Sequence, residues 1–277
     1  MNLEGYPVFR RTVKTLTGID LDAYKGNQLE RRLQGILRRV GVPDLIQYSR
    51  LLQSDSRRLQ EFRDFLTINV TEFFRNPDRF EDLKHKVLPA LLRERRPLRI
   101  WSAGCSTGAE PYSIAIILDE IDPGGRHDIL ATDVDATALA QAREAVYQER
   151  EMKEVSPARR RRYFTETPSG WQVVPHIRSA VRFVQHNLLS DPFPGDLDLI
   201  VCRNVVIYFA EEAKTALYER FRRSLRPGGV LFVGGTESLL RARELGFTPL
   251  LPFFYTTLPA SRPEAETRQG RQGTDHP

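Results

Sequence analysis

Four stretches of this chain carry residues whose types and spacing could do chemistry. Leu98-Arg-Ile-Trp-Ser-Ala-Gly-Cys-Ser-Thr-Gly-Ala-Glu110 is an apolar run that breaks into a glycine loop, and Ile129-Leu-Ala-Thr-Asp133 is a second apolar run ending on a carboxylate. The first predicts a strand, a turn opened by Gly104 and Gly108, and a helix start at Glu110-Pro111, so that a ligand can approach bare backbone. The second puts Asp133 at a strand end, where it can accept hydrogen bonds from both hydroxyls of a ribose. The loop is not Gly-x-Gly-x-x-Gly and no Gly-Lys-Ser/Thr follows it. Glu110 also stands where a pyrophosphate needs bare amides and positive potential. These features disfavour a dinucleotide or ATP. A cofactor with a ribose, a cationic centre and no phosphate fits, and S-adenosylmethionine, with S-adenosylhomocysteine as product, has that chemistry. An unrelated α/β turn would share the outline of the loop.

The other two stretches are Asn69-Val-Thr-Glu-Phe-Phe-Arg75 and Cys202-Arg-Asn-Val-Val-Ile-Tyr-Phe209. In the first, Asn69 or Thr71 can cap a helix while Phe73 and Phe74 enter the core; a functional reading requires Arg75 to face a ligand cleft. The second follows the apolar run Leu197-Asp-Leu-Ile-Val. Ligands of open α/β sheets bind beyond the carboxyl ends of strands, which places Arg203, Asn204 and Tyr208 near one. Loop polarity and a buried tyrosine hydroxyl are the plainer explanation. Asn187-Leu188 ends the run Val181 to His186 on the same rim, where it could meet the edge and face of an adenine.

The elements that must position these residues change character along the chain. From Phe9 to about Leu88 the pattern is helical, broken at Gly18, Gly41-Val-Pro43 and Asn76-Pro77. After the charged connector Arg93-Glu-Arg-Arg-Pro97, strands are expected at 98–102, 128–132, 181–186, 197–202 and 229–234, with helices at about 110–121, 136–146 and 211–225. This alternation predicts a mostly parallel sheet covered on both faces, closed by Phe247–Leu251 and Phe253–Leu258. Tyr147 to Ala180 interrupts it, with a helix capped at Ser156-Pro157 and a β segment through Trp171-Gln-Val-Val174. The domains read as 1–92 helical, 93–258 α/β with 147–180 inserted, and 259–277 a disordered tail of Pro, Gly, Gln and charge.

The whole chain of 277 residues carries a net charge of +5. Residues 1 to 70 hold twelve Lys/Arg against eight Asp/Glu, so most of the excess precedes the glycine loop. An acidic partner is implied. In Leu29-Glu-Arg-Arg-Leu-Gln-Gly-Ile-Leu-Arg-Arg-Val40, the apolar residues 29, 33, 36, 37 and 40 share one helical face. Arg31, Arg32, Arg38 and Arg39 fall opposite, centred on Gly35, where a second helix could come close; a solvated face is the alternative. Arg159-Arg-Arg-Arg162 reads as a solvated helix end, with an exposed edge strand near Trp171 able to take a peptide by strand addition. Cys105 and Cys202 have neither metal spacing nor an oxidising context, so no metal is expected. No run is long enough to span a bilayer and no signal peptide is visible, so a cytoplasmic location is expected; a monomer is the separate expectation for its assembly.

Taken in order and spacing, Asn69 to Arg75, Gly104-Cys-Ser-Thr-Gly-Ala-Glu-Pro-Tyr-Ser113, Ala131-Thr-Asp-Val-Asp135, Asn187-Leu188 and Cys202 to Phe209 resemble the CheR-type chemotaxis protein methyltransferases. The resemblance runs from about Phe9 to Leu258. It implies a class I methyltransferase with a Rossmann-like seven-stranded sheet, an all-α N-terminal domain and a small β insertion. It further implies methyl transfer from S-adenosylmethionine to glutamate carboxylates on the cytoplasmic helical bundle of bacterial chemoreceptors, with no nucleic acid partner. Asn69, Thr71, Arg75, Glu110, Asp133, Asn187, Leu188, Arg203 and Asn204 would line the cofactor site, with Arg75 and Tyr208 nearest the methyl group. Some relatives grip a receptor C-terminal peptide through the insertion. Many members have two glutamates after the second glycine; here Ala109 replaces the first. A methyltransferase acting on RNA or another protein, and a scaffold that binds the cofactor without transfer, are the other readings. The chain lacks an Asn/Asp-Pro-Pro-Tyr/Phe motif and a stacking platform for bases.

Overall fold

A strand in the middle of a parallel sheet is buried on both faces and reads as a continuous apolar run. The computed structural model describes residues 3–67, 71–235, 237, 239 and 241–257. Its strands are β1 (Arg99–Ala103), β2 (Asp128–Asp133), β3 (Val146–Tyr147), β4 (Phe164–Thr167), β5 (Gly170–Val173), β6 (Val181–Gln185), β7 (Leu197–Cys202), β8 (Leu225–Val233), β9 (Phe247–Leu251) and β10 (Phe254–Thr257). Seven of them form one sheet in the order β6-β2-β1-β7-β8-β10-β9. The first five run parallel, and β10 lies antiparallel to both β8 and β9. The closing pair is thus the expected reversed edge. β8 starts at Leu225, four residues ahead of the expected 229, because a register shift opposite Leu197–Leu199 absorbs Pro227-Gly-Gly into the strand.

The helices are α1 (Tyr6–Thr17), α2 (Gly26–Val40), α3 (Leu45–Ser54), α4 (Ser56–Thr67), α5 (Pro77–Asp82), α6 (Leu88–Glu94), α7 (Ala109–Ile121), α8 (Ala136–Glu144), α9 (Pro157–Tyr163), α10 (Pro175–Ser179) and α11 (Glu211–Ser224). Helices α1 to α4 close on their own core, in which Phe9 stacks on Tyr48 at 5.8 Å and meets Phe62 edge-on at 5.5 Å. Their cluster ends at Leu66. Periodicity alone carries the helical unit to residue 92, but Phe73, Phe74, Phe80, Leu83, Val87 and Leu88 are buried with β1, α7 and β8 instead. Amphipathic helices look alike in sequence whichever core they face.

The insertion is a three-stranded antiparallel sheet in the order β3-β5-β4. Trp171 therefore sits on the central strand, paired to Tyr147 on one side and Glu166 on the other, and not on the expected edge. Ser156 caps α9 as its sequence predicts, accepting the Arg159 N–H. The helical unit is stitched to the rim of the large sheet by backbone. Lys25 N donates to Tyr208 O at 2.9 Å and Ala210 N to Ala23 O at 2.8 Å, while the Asn187 amide donates to Gly18 O at 3.1 Å. Among the described residues no helix is long and apolar enough to cross a membrane. The expected disordered tail, 259–277, lies outside the described residues.

Candidate functional site

Strand order reverses at β1, which has β2 on one side and β7 on the other, and an open α/β sheet places its ligand crevice beyond such a point. A cavity of about 1040 Å³, counting its open mouth, lies there. Its floor comes from the loops after β1 (Gly104 to Ser106), β2 (Asp133, Val134), β6 (His186 to Leu189) and β7 (Arg203 to Val205, Tyr208, Phe209). Its roof comes from Ile19, Tyr24, Leu66 and Thr67 of the helical unit, and Thr71, Glu72 and Arg75 close one side. Thr71, Arg75, Glu110, Asp133, Asn187, Leu188, Arg203, Asn204 and Tyr208, from five separate stretches of sequence, are thereby brought together. Asn69 lies outside the described residues.

Asp133 Oδ2 accepts the Ser106 N–H at 2.8 Å and Oδ1 the Asp135 N–H at 2.9 Å. Each oxygen keeps capacity for another donor, which fits the two hydroxyls of a ribose. Burial raises the Asp133 pKa, opposed by those backbone donors. Glu110 Oε1 accepts from the Ser102 hydroxyl at 2.9 Å, and Oε2 lies 3.5 Å from Arg203 Nη1. Burial likewise raises Glu110 and lowers Arg203, while each attracts the other back toward its charged form.

Arg203 turns its other nitrogen away from the cavity: Nη2 donates to Arg75 O at 2.8 Å and to Asn76 Oδ1 at 2.7 Å. Its guanidinium also lies over the Phe232 and Phe80 rings at 4.7 and 5.3 Å. It therefore clamps the segment that presents Arg75. That segment needs a clamp, since Phe74 (φ 52°) and Asn76 (φ 62°), on either side of Arg75, are both left-handed. The Phe74 N–H is tied to Ser113 Oγ at 3.0 Å. Phe73 and Phe74 are core residues, as the plain reading of this motif has them, and Arg75 still faces the cavity as the functional reading requires. Asn187 spends Oδ1 on the Leu189 N–H and one amide hydrogen on Gly18.

The glycines of the loop are also required by their protein neighbours, while Gly104 lines the cavity. A Cβ at Gly104 (φ 84°) would collide with Val205 Cγ2, and one at Gly108 (φ 90°) would come 2.9 Å from Ala142 Cβ and 3.1 Å from Tyr147 Oη. Their bareness admits neighbouring protein: Val205 at one, and α8, Tyr147 of the inserted sheet and Phe183 at the other.

Two lining or supporting groups escape sequence reasoning. Tyr24, just ahead of α2, is half-buried in the roof, where desolvation and then the nearby Asp133 push its hydroxyl up to about 12. It stays a neutral hydrogen-bond donor at every physiological pH. Glu237, 5% exposed, accepts the Asn204 N–H at 2.6 Å and the Gly234 N–H at 2.8 Å and so anchors the 203–208 loop. An acid just past the Gly234-Gly235 end of an apolar run is the one signal that could have drawn attention to it.

Tyr24 and Tyr208 also line a second, shallower cleft with Lys25, Gln28, Leu29, Arg31 and Arg32. Of the arginines expected on one face of α2, Arg31 and Arg32 thus reach the cavity mouth. Arg32 is only half exposed, because its guanidinium packs 4.4 Å over the Phe65 ring. Arg38 is exposed, and Arg39 borders a separate hollow with Arg58, Glu61, Asp64 and Phe65. The run 159–162 is not a solvated helix end. Arg159 makes a bidentate pair with Glu120 at 2.8 and 2.9 Å, Arg160 bonds Glu149 at 2.7 Å, and Arg162 bonds Asp119 at 2.8 Å. Their partners lie mostly on α7, some forty residues earlier, where no local pattern reveals them.

The family model described as "CheR methyltransferase, SAM binding domain" matches residues 69–249, and "CheR methyltransferase, all-alpha domain" matches 4–67. The chemotaxis protein methyltransferase of Listeria innocua is 43% identical over 90% of this chain and 96% of its own length. That of Listeria monocytogenes shares the same figures, and chemotaxis protein methyltransferase 1 of Pseudomonas aeruginosa is 37% identical over 84% of this chain and 90% of its own. With both domains matched almost end to end around a cavity fit for a nucleoside, this chain belongs to the CheR methyltransferase family and is an S-adenosylmethionine-dependent enzyme.

Proposed function

We propose that the enzyme methylates glutamate side-chain carboxylates on the cytoplasmic helices of bacterial chemoreceptors, acting as a cytoplasmic monomer. The observation that carries this reading is the sharing of Tyr24 and Tyr208 between the cofactor cavity and the basic cleft of Lys25, Arg31 and Arg32. An acidic side chain attracted to that cleft stands one tyrosine away from the methyl donor.

The residues present divide the work. Asp133 would take the ribose hydroxyls, Leu188 and Asn187 the adenine, and Thr71, Arg75, Glu110 and Asn204 the amino-acid end, with Asn69 assigned by its place in the motif. When bound, S-adenosylmethionine supplies a methyl group on a sulfonium. A glutamate carboxylate is ionised near pH 7, so no general base is required. What the protein must do is align the acceptor and strip water from a charge that the transfer neutralises. Arg75 and Tyr208 are the groups we assign to that alignment, Arg75 toward a carboxylate and Tyr208 through its hydroxyl. Lys25, Arg31 and Arg32 would meet acidic neighbours of the reacting glutamate, with Arg38 about 10 Å further along the helix and Arg39 extending the contact. A receptor C-terminal peptide, if used, would add to the outer edge of β4, which among the described residues pairs only with β5.

Radiolabelled methyl transfer tests this. Label is expected in receptor-bearing membranes as a base-labile ester, and not in RNA. Label in RNA alone, or none with cofactor still bound, would replace the reading by one of the alternatives.

A further inference from the structure

The insertion begins at Tyr147, whose side chain reaches into the cofactor domain. The Tyr147 hydroxyl donates to Thr107 O at 2.6 Å, inside the glycine loop. The edge of Phe73 meets its ring at a centroid distance of 4.7 Å, and Phe73 N donates to Glu151 O at 3.0 Å. Phe164 of β4 packs on the other part of Phe73 at 5.0 Å. One residue of the inserted sheet therefore touches two arcs of the cavity wall. The first is Gly104 to Glu110, which carries Glu110 and orients Ser106 toward Asp133. The second is Thr71 to Arg75.

The surrounding glycines are shaped to this contact. Gly108 leaves room for the hydroxyl, and a Cβ on Gly170, the first residue of β5, would lie 2.5 Å from Tyr147 O. Tyr147 is 1% exposed. Its hydroxyl is therefore held on the carbonyl of the half-buried Thr107, and its loss removes that hydrogen bond from the loop.

We propose that Tyr147 is a positioning residue for the cofactor: its hydroxyl and ring fix the glycine loop and the Arg75 segment relative to each other, making the inserted sheet part of the binding site. This goes beyond receptor recognition and does not depend on which acceptor is methylated.

The test uses the full-length protein with S-adenosylhomocysteine as the probe, its affinity measured by calorimetry beside the melting temperature. Tyr147→Phe keeps the ring and removes one hydrogen bond; affinity is expected to weaken roughly threefold to tenfold. Tyr163→Phe is the control, since Tyr163 is equally buried in the insertion and donates to Asp119 Oδ2 at 2.9 Å, away from the cavity. It should lower the melting temperature by a similar amount and leave affinity unchanged. Unchanged affinity in Tyr147→Phe overturns the proposal, as does an equal loss in both variants, which would mark the hydroxyl as a fold-stabilising group only. If Tyr147→Phe folds poorly, Phe73→Leu probes the ring contact: weaker binding with the cofactor loop intact supports the tie, and wild-type affinity opposes it.

Discussion

Two helices of this protein carry four arginines each and place them in opposite surroundings. On α9, Arg159, Arg160 and Arg162 each have a carboxylate partner, and Arg159 and Arg160 also lie over Phe74 and Trp171 at 4.2 and 4.8 Å. On α2, Arg31, Arg38 and Arg39 are exposed and make no ion pair among the described residues. A run of positive charge says nothing about function until its counter-charges are located. Where the protein itself supplies them, the run is structural; where it does not, the charge is available to a partner.

The largest effect should come from the paired helix. Arg159→Ala removes the bidentate bond to Glu120, whose side chain is only 15% exposed, and uncovers Phe74. Lys84, at 2.8 Å, remains as a partner, so the cost is expected to be about 2 kcal/mol, below that of a fully orphaned buried charge. Melting should fall by roughly 5 °C. Arg161→Ala, one turn position away and exposed, should change stability by less than about 0.5 kcal/mol. Burial alone would raise the Glu120 pKa, yet hydrogen bonds from Arg159 and Lys84 hold it below its ordinary value of 4.5. A lowered folded pKa means that the stabilisation is present above that value and lost as pH falls through the folded one. Urea melts of wild type and Arg159→Ala should therefore differ most near neutral pH and converge as the pH falls through the lowered Glu120 pKa. A constant gap would mean that Arg159 stabilises by packing on Phe74 alone.

The contrast also shows what sequence can and cannot reveal. Strand runs such as Leu197–Val201 and caps such as Ser156 declare themselves, because burial on both faces and first-turn hydrogen bonds are local demands. So did most of the cavity lining, since topology puts strand ends there whatever the details. Trp171 did not, because strand order in an antiparallel sheet depends on the path of the chain between strands. Nor did Tyr147 or Glu237, whose partners are the Thr107 carbonyl and the Asn204 and Gly234 amides. A side chain that serves someone else's backbone leaves no periodic trace.

The unpaired helix should answer to a different measurement. Arg31→Glu with Arg38→Glu replaces attraction by repulsion at two exposed points, for an expected loss of roughly tenfold to thirtyfold in kcat/KM on receptor membranes at low salt. The loss should shrink at high salt as the charges are screened. Melting temperature and S-adenosylhomocysteine affinity should hold. Should both fall with activity, the α2 arginines would belong with those of α9, and the distinction between the helices would collapse.

The smallest effect is the sharpest test of how close the partner comes. Gly35 sits among the α2 arginines, and a Cβ there meets nothing within 4 Å. In an isolated helix, Gly35→Ala should stabilise the protein by about 0.5 to 1 kcal/mol, since alanine loses less backbone entropy. If an acidic receptor helix packs against this face, the added methyl holds it off, and KM for receptor should rise about threefold, a cost of about 0.7 kcal/mol by the tenfold-per-1.4 relation. The same substitution would then raise the melting temperature and weaken the substrate. A stability gain with unchanged KM would mean that the arginines steer the receptor from a distance and that the helix face itself never touches it.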